Sequence, residues 1–210
     1  MARWWQKKRK QDKDAYFTTY KELLALSYIQ TPCELYPSEC LPRRIKHVIW
    51  DADDTIWNIE PAGVASLVGP PFKKIGEGEL EVVPAEGKAS WRTPGVIKLK
   101  EGLTETLEEL EYRGIGSSIA SINTEGSVQQ VIEAFGLSDS FERIKSTWDS
   151  KTEMITEIAA EVGVRPDEIL FIDDSIYNVF RTFKTLNTLS LHYGTDIQHP
   201  SEILRYIKEE

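Results

Sequence analysis

Long apolar runs are missing from this sequence: nothing in its 210 residues approaches the ~20 consecutive apolar positions that a membrane-spanning helix requires. The opening, MARWWQKKRKQDKD, is basic, but neither an apolar stretch nor a small-residue cleavage site follows it. No secretory signal is read there, and the cytoplasm is the default location. Cysteine is scarce as well. Cys33 and Cys40 are the only two, and they have six residues between them and no histidine pair nearby. That spacing argues against zinc; a reduced pair is the expectation in a reducing compartment, with a local disulfide left open as the alternative. With only three histidines in the chain, a metal site would have to be built from hard oxygen donors.

The residues that are present describe an ordinary soluble protein with uneven charge. Apolar residues make up 40% and charged residues 28% of the chain, enough for one domain with a proper core. The formal net charge is -9. Residues 1–13 carry six Lys/Arg against one Asp, so the acidic excess lies entirely in the rest of the chain. A basic head on an acidic body is a weak nucleic-acid or membrane tether at most, because no fold signature accompanies it. A monomer is expected.

The chain divides into an N-terminal extension, residues 1–44, and a core, residues 45–210. Within the extension, Tyr16, Phe17, Tyr20, Leu23, Leu24 and Tyr28 recur at helical spacing and predict an accessory helix, followed by the proline-broken connector TPCELYPSECLPRR. From IKHVIWD onward strand and helix alternate. LTETLEELEYRG and TEGSVQQVIEAFG read as helices closed by glycine, and SKTEMITEIAAEVG as a helix opened by a capping box of Ser150 and Glu153. IGSSIAS, EILFID and TLSLHYG are strands, a short strand lies near 143–146, and SEILRYIK is the last helix. Such alternation predicts a doubly wound, Rossmann-like α/β fold, with a parallel sheet covered on both faces. Residues 58–101 interrupt it. They are rich in proline and glycine, and ELEVV and ASWRT read as the arms of a hairpin turning near Pro84–Gly87. This insertion is a flap rather than a full cap domain, with PPFKK offering an aromatic ring and two cations toward an anionic substrate.

In a parallel sheet ligands bind beyond the carboxyl ends of the strands. Asp51, Asp53, Asp54 and Thr55 follow the first strand in DADDT, Ser121 follows the second, Lys151 opens a helix, and Asp173-Asp174 follow a later strand. Carboxylates gathered at one edge repel one another unless a divalent cation sits among them, and oxygen ligands point to Mg²⁺. An ammonium and a hydroxyl facing the same place add the donors that a phosphoryl group needs. His192, near the end of its strand, is read as a packed side chain outside the chemistry.

These residues resemble a known family. DADDT matches the D-x-D-x-T motif of the haloacid dehalogenase superfamily, and Ser121, Lys151 and Asp173-Asp174 occur in that superfamily's order. DADDTIW, GPPF, IASIN, the Ser-Lys before a long helix and FIDDSIYN are most similar to its magnesium-dependent phosphatase family. The resemblance covers roughly residues 45–200 and implies an enzyme that hydrolyses a phosphomonoester with Mg²⁺ through an aspartyl-phosphate. It implies Asp51 as nucleophile, Asp53 as general acid and base, Thr55 as the residue ordering the loop, and Ser121 with the backbone of Ile122 and Asn123 as phosphate ligands. It implies Lys151 as the cation on both nucleophile and phosphate. Asp51, Asp174, Asp173 and the carbonyl of Asp53 are its implied metal ligands, with Asn178 on a metal-bound water. Asp54 has no required role. The substrate class is a phosphorylated small molecule or macromolecule. Two other readings remain: a phosphotransferase or phosphonate-cleaving relative with the same chemistry, and a non-enzymatic receiver-like protein, which the order of the motifs disfavours.

Overall fold

The computed structural model describes residues 30–60, 71–82 and 95–208. The helix expected over 14–29, the Pro84–Gly87 turn and the ASWRT segment lie outside the described residues. No helix among those described is long and apolar enough to cross a membrane.

The core is a five-stranded parallel sheet of β1 (His47–Trp50), β6 (Gly116–Ile122), β7 (Arg143–Thr147), β8 (Ile169–Asp173) and β9 (Leu189–His192), in the spatial order β7-β6-β1-β8-β9. The chain therefore runs outward from β1 in one direction, then returns to β8 on the other side. That reversal is the topological switch point of a doubly wound sheet, and β1 ends there. His47-Val-Ile-Trp is buried at every position because both faces of the central strand are covered. Val48 and Trp50 join one core with Leu170, Ile172, Ile119 and the residues of α2 (Leu103–Tyr112) and α3 (Ser127–Phe135). Ile49 and Phe171 point the other way, onto Met154, Ile155, Ile158 and Ala159 of α4 (Lys151–Val162). The helix α5 (Ile176–Leu186) packs beside α4, against β8 and β9.

Each helix follows its sequence pattern. Leu103, Leu107 and Leu110 are the buried stripe of α2, and Val128, Val131, Ile132 and Phe135 that of α3, which Gly136 closes at φ 79. Leftover polar groups are met locally. Ser150 accepts from the Glu153 amide while Glu153 accepts from the Ser150 amide, which completes the capping box that starts α4. The final segment differs from expectation: Pro200–Tyr206 forms a 3₁₀ helix rather than an α-helix.

The insertion also differs. Its described residues build a second, antiparallel sheet of β2 (Trp57–Glu60), β3 (Phe72–Gly76), β4 (Glu79–Val82) and β5 (Val96–Leu99), ordered β2-β5-β4-β3. ELEV is indeed a hairpin arm, but its hairpin partner is β3, reached through a turn at Glu77-Gly78 with Gly78 at φ 67; its other neighbour is β5. Phe72, Lys73 and Lys74 are thus an edge strand. Lys73 and Lys74 are exposed there. Lysine on an edge strand discourages pairing with another chain.

Cys33 and Cys40 are joined by a disulfide, contrary to the reduced pair expected. The bond ties α1 (Pro32–Leu35) to the 3₁₀ turn Pro37–Glu39. Thr31, which caps α1, also donates its hydroxyl to Asp196 at 2.5 Å, fastening this segment to the turn after β9.

Candidate active site

The carboxyl end of β1 leads into a tight turn wound around one carbonyl. The amides of Thr55 and Ile56 both reach back to the oxygen of Ala52, at 3.3 and 2.9 Å. Asp54 stands at φ 59, in the left-handed region. Aspartate is one of the few residues other than glycine that tolerates it, because its short polar side chain bonds locally. Asp54 is exposed, as expected, and the turn explains its identity without any chemical role. Thr55 is fully buried, and its hydroxyl accepts the amide of Asp174 at 3.1 Å, pinning the turn to the end of β8.

Asp51 and Asp173 lie side by side, because β1 and β8 pair in register up to Trp50 and Ile172 and the Asp51 amide donates to the Ile172 carbonyl at 2.8 Å. Lys151 comes between them from the first turn of α4. Its buried ammonium donates to Asp51 Oδ1 and to the Ala120 carbonyl, the latter at 2.5 Å, and stands 3.3 Å from Asp173 Oδ2. Burial alone would lower the proton affinity of Lys151, but the facing carboxylates of Asp51 and Asp173 outweigh it and hold the ammonium above its ordinary value. The site therefore contains a lysine that stays charged although almost no water reaches it.

Oxygen atoms of Asp51, Asp173 and Asp174 lie within 4.8 Å of one another. Of the three, Asp173 is the most heavily engaged by protein donors. It accepts the Ser175 amide at 2.7 Å, and the Asn178 side-chain amide bonds both its oxygens, at 3.1 and 3.2 Å. Asn178 thus holds Asp173 through its Nδ2. Burial raises the Asp173 carboxyl, with Lys151 opposing and Asp51 adding to the rise. Asp174 opens to solvent on one side, yet loss of surrounding water and then the Asp51 and Asp54 carboxylates push it up to about 6. Three carboxylates against one ammonium leave the cluster short of positive charge, and all its free donors are hard oxygens. Both properties fit a divalent cation such as Mg²⁺.

Asp53 faces a different environment. Its two oxygens accept from Trp57 Nε1 at 2.8 Å and from Asn123 Nδ2 at 3.0 Å. Behind it a cavity of about 10 Å³ is walled by Ile59 and Ile97 of the antiparallel sheet and Val128 and Val131 of α3. Burial there raises Asp53 to about 6, against the Trp57 hydrogen bond, which lowers it. Its side chain is not one of the three carboxylates clustered with Asp51.

Ser121 is buried at the end of β6. Ile122 follows half-exposed. The Asn123 amide, expected to face a phosphate, instead donates to the Thr147 carbonyl at 3.2 Å, so Asn123 enters the site through its side chain. That side chain was not foreseen, nor were Trp57 and His192. His192 Nε2 lies 2.8 Å from the Asp174 carbonyl, and its amide donates to Asp196 at 2.8 Å, so it steadies the turn carrying Asp174. The strand ends marked Asp51 and Ser121 in the sequence, but a neutral donor reaching a carboxylate leaves no spacing signature.

A cavity of about 620 Å³ lies elsewhere, at the opposite edge of the sheet between Arg44, Arg113, Ile207 and Lys208. Distance from the carboxylates separates it from the chemistry, since ligands of doubly wound sheets bind at the carboxyl edge.

Residues 84–181 match the family model described as haloacid dehalogenase-like hydrolase. The described core has the fold of solved haloacid dehalogenase superfamily hydrolases. Solved structures with the same fold include a haloacid dehalogenase superfamily hydrolase, subfamily IA, from Geobacter sulfurreducens, at 14% identity and TM-score 0.56, covering 80% of this chain and 100% of that one. A predicted phosphoglycolate phosphatase from Haemophilus somnus matches at 17% identity and TM-score 0.53, over 78% of this chain and 98% of that one. The N-terminal part of a Bacteroides fragilis protein, which contains a phosphatase domain complexed with Mg, matches at 21% identity and TM-score 0.52, over 78% of this chain and 39% of that one. No curated protein matches the sequence. The family match begins after DADDT, so the first motif rests on its own geometry.

Proposed function

We propose that this chain is a Mg²⁺-dependent phosphatase that hydrolyses a phosphomonoester through a covalent aspartyl-phosphate on Asp51. The observation that carries the reading is the buried ammonium of Lys151, shared by Asp51 and Asp173 at the switch point of the sheet. A lysine kept charged there pairs with Asp51 and offers a second cation to an incoming phosphoryl group. The phosphatase domain bound to Mg in the Bacteroides fragilis structure supports the choice of metal.

In this reading Asp51 Oδ2, which accepts no hydrogen bond from the described residues, attacks phosphorus as the bond to the leaving oxygen breaks. Asp53 gives that oxygen a proton, and its carboxylate then takes one from the water that attacks the phosphorus of the aspartyl-phosphate. Phosphate and the Asp51 carboxylate are regenerated. Ser121 and Lys151 bind the phosphoryl oxygens. Asp51 and Asp174 would hold the metal, which would supply positive charge to the phosphoryl group, while Asp173, fixed by Ser175, Asn178 and Lys151, orients them. The substrate is a phosphorylated metabolite or macromolecule.

The test is hydrolysis of p-nitrophenyl phosphate by the wild type and Asp51→Asn, with Mg²⁺ and with EDTA. The wild type should turn over only with Mg²⁺, and Asp51→Asn should fall by at least about a thousandfold. An inactive wild type in saturating Mg²⁺, or a fully active Asp51→Asn, overturns the proposal.

A further inference from the structure

The carboxylate of Asp53 is held from two independently anchored sides. Trp57 Nε1 donates to Oδ1 at 2.8 Å. This tryptophan is 1% exposed, pairs with Leu99 across the antiparallel sheet, and sets its ring against Phe135 with centroids 6.5 Å apart. Asn123 Nδ2 donates to Oδ2 at 3.0 Å. The amide orientation is fixed, because Asn123 Oδ1 accepts the Thr124 amide at 2.8 Å while the Asn123 backbone is tied to Thr147. A flipped amide would lose both bonds. Neither donor can leave its place without disturbing an element: Trp57 belongs to the insertion, Asn123 to the parallel core.

We infer that Trp57 and Asn123 are positioning residues that hold the Asp53 carboxyl group in line with the leaving oxygen, and that Trp57 links the insertion sheet to the chemistry. This rests on the phosphatase reading and deepens it. Proton delivery demands heavy-atom distances near ~3 Å, so a carboxyl group free to rotate spends most of its time out of reach. Around the cavity behind Asp53, Ile59, Ile97, Val128 and Val131 are apolar, and the Ser127 hydroxyl is already committed to the Thr124 carbonyl at 2.7 Å. The sheet that sequence reasoning treats as a lid thereby sets the aim of a catalytic side chain.

The measurable sign is a bias by leaving group. An alkyl phosphate departs as a strong base and needs the proton; p-nitrophenyl phosphate departs as a weak base and scarcely does. The ratio kcat/KM reports steps up to leaving-group departure, so later hydrolysis of the aspartyl-phosphate does not blur it. In the full-length chain with Mg²⁺, Trp57→Phe keeps the buried ring and removes the donor. It should lower kcat/KM for an alkyl phosphate by about ten- to a hundredfold and for p-nitrophenyl phosphate by less than about threefold, with Asp53→Asn marking the limit of the bias. Asn123→Ala, outside the insertion, should show the same bias and serves if Trp57→Phe fails to fold. An active wild type whose two variants lose kcat/KM equally on both esters, or lose none, overturns the inference alone. A wild type inactive on both overturns the phosphatase reading and the role of Asp53 with it.

Discussion

Lys151 and the carboxylates it joins are nearly out of reach of water, so each charge depends on the others. Replacing the lysine by methionine leaves Asp51 and Asp173 facing each other without a counter-charge, a loss of about 3–5 kcal/mol for a buried pair broken on one side. Because Asp173, already raised to about 7, can relieve the repulsion by binding a proton, the destabilisation of Lys151→Met should be largest near pH 8 and shrink toward pH 5, read from urea midpoints. His47 makes a separate prediction. It is buried, bonds Ser118 through Nε2 at 2.7 Å, and is lowered to about 4 by burial and by Arg143. The unfolded chain then binds a proton that the folded one refuses, so stability contributed above pH 6.5 is lost as pH falls toward 4. His47→Gln should flatten that acid limb by up to about 3 kcal/mol in denaturant titrations. The charged residues of the site were legible because strand ends and an aspartate doublet leave marks in the sequence. Trp57 and Asn123 were not, because a core tryptophan and a loop asparagine look the same whether or not they meet a carboxylate.

Among the elements, α4 and α2 begin in opposite ways. The capping box of Ser150 precedes Lys151 by one residue, so the same hydrogen bonds that start α4 also aim its ammonium. Ser150→Ala should cost about 1 kcal/mol in thermal or urea unfolding. Gly102 starts α2 at φ 75 with no side-chain cap, and a Cβ there would meet the His199 ring at 2.2 Å. Gly102→Ala should therefore cost about 2 kcal/mol, through backbone strain and displacement of His199. Helices were the most legible elements, since their apolar stripes survive in sequence. The antiparallel sheet was only half legible: β4 alternates buried and half-buried residues, whereas β3 is exposed or half-exposed throughout and has no period to read. Edge strands lose their signature because only one neighbour and little burial constrain them.

At the scale of the whole molecule the acidic site opposes folding until a cation arrives. Asp53 and Asp174 are raised to about 6 and Asp173 is raised as well, so the folded metal-free chain binds more protons than the unfolded chain above pH 3.8. These groups make stability fall as pH rises from about 4 toward 7, the reverse of His47. The difference between melting temperatures in Mg²⁺ and in EDTA isolates them and should widen over that same range. The doubly wound order was legible from alternation alone, because a parallel pair always needs a crossover. The disulfide was not, since two cysteines close in sequence pair or stay apart according to where Tyr36 and the turn carry them. Tyr36 stacks on Phe183 of α5 at 5.7 Å, which draws the segment down onto the body.

Arg43 bridges Ile207 in parallel, its amide on Tyr206 and its carbonyl on Lys208. Entry and exit of the core thus share the edge of the sheet away from Asp51. A linker joined beyond Lys208 and fixed to a solid support would turn the carboxylates outward, and the immobilised protein should keep its full turnover of a soluble ester.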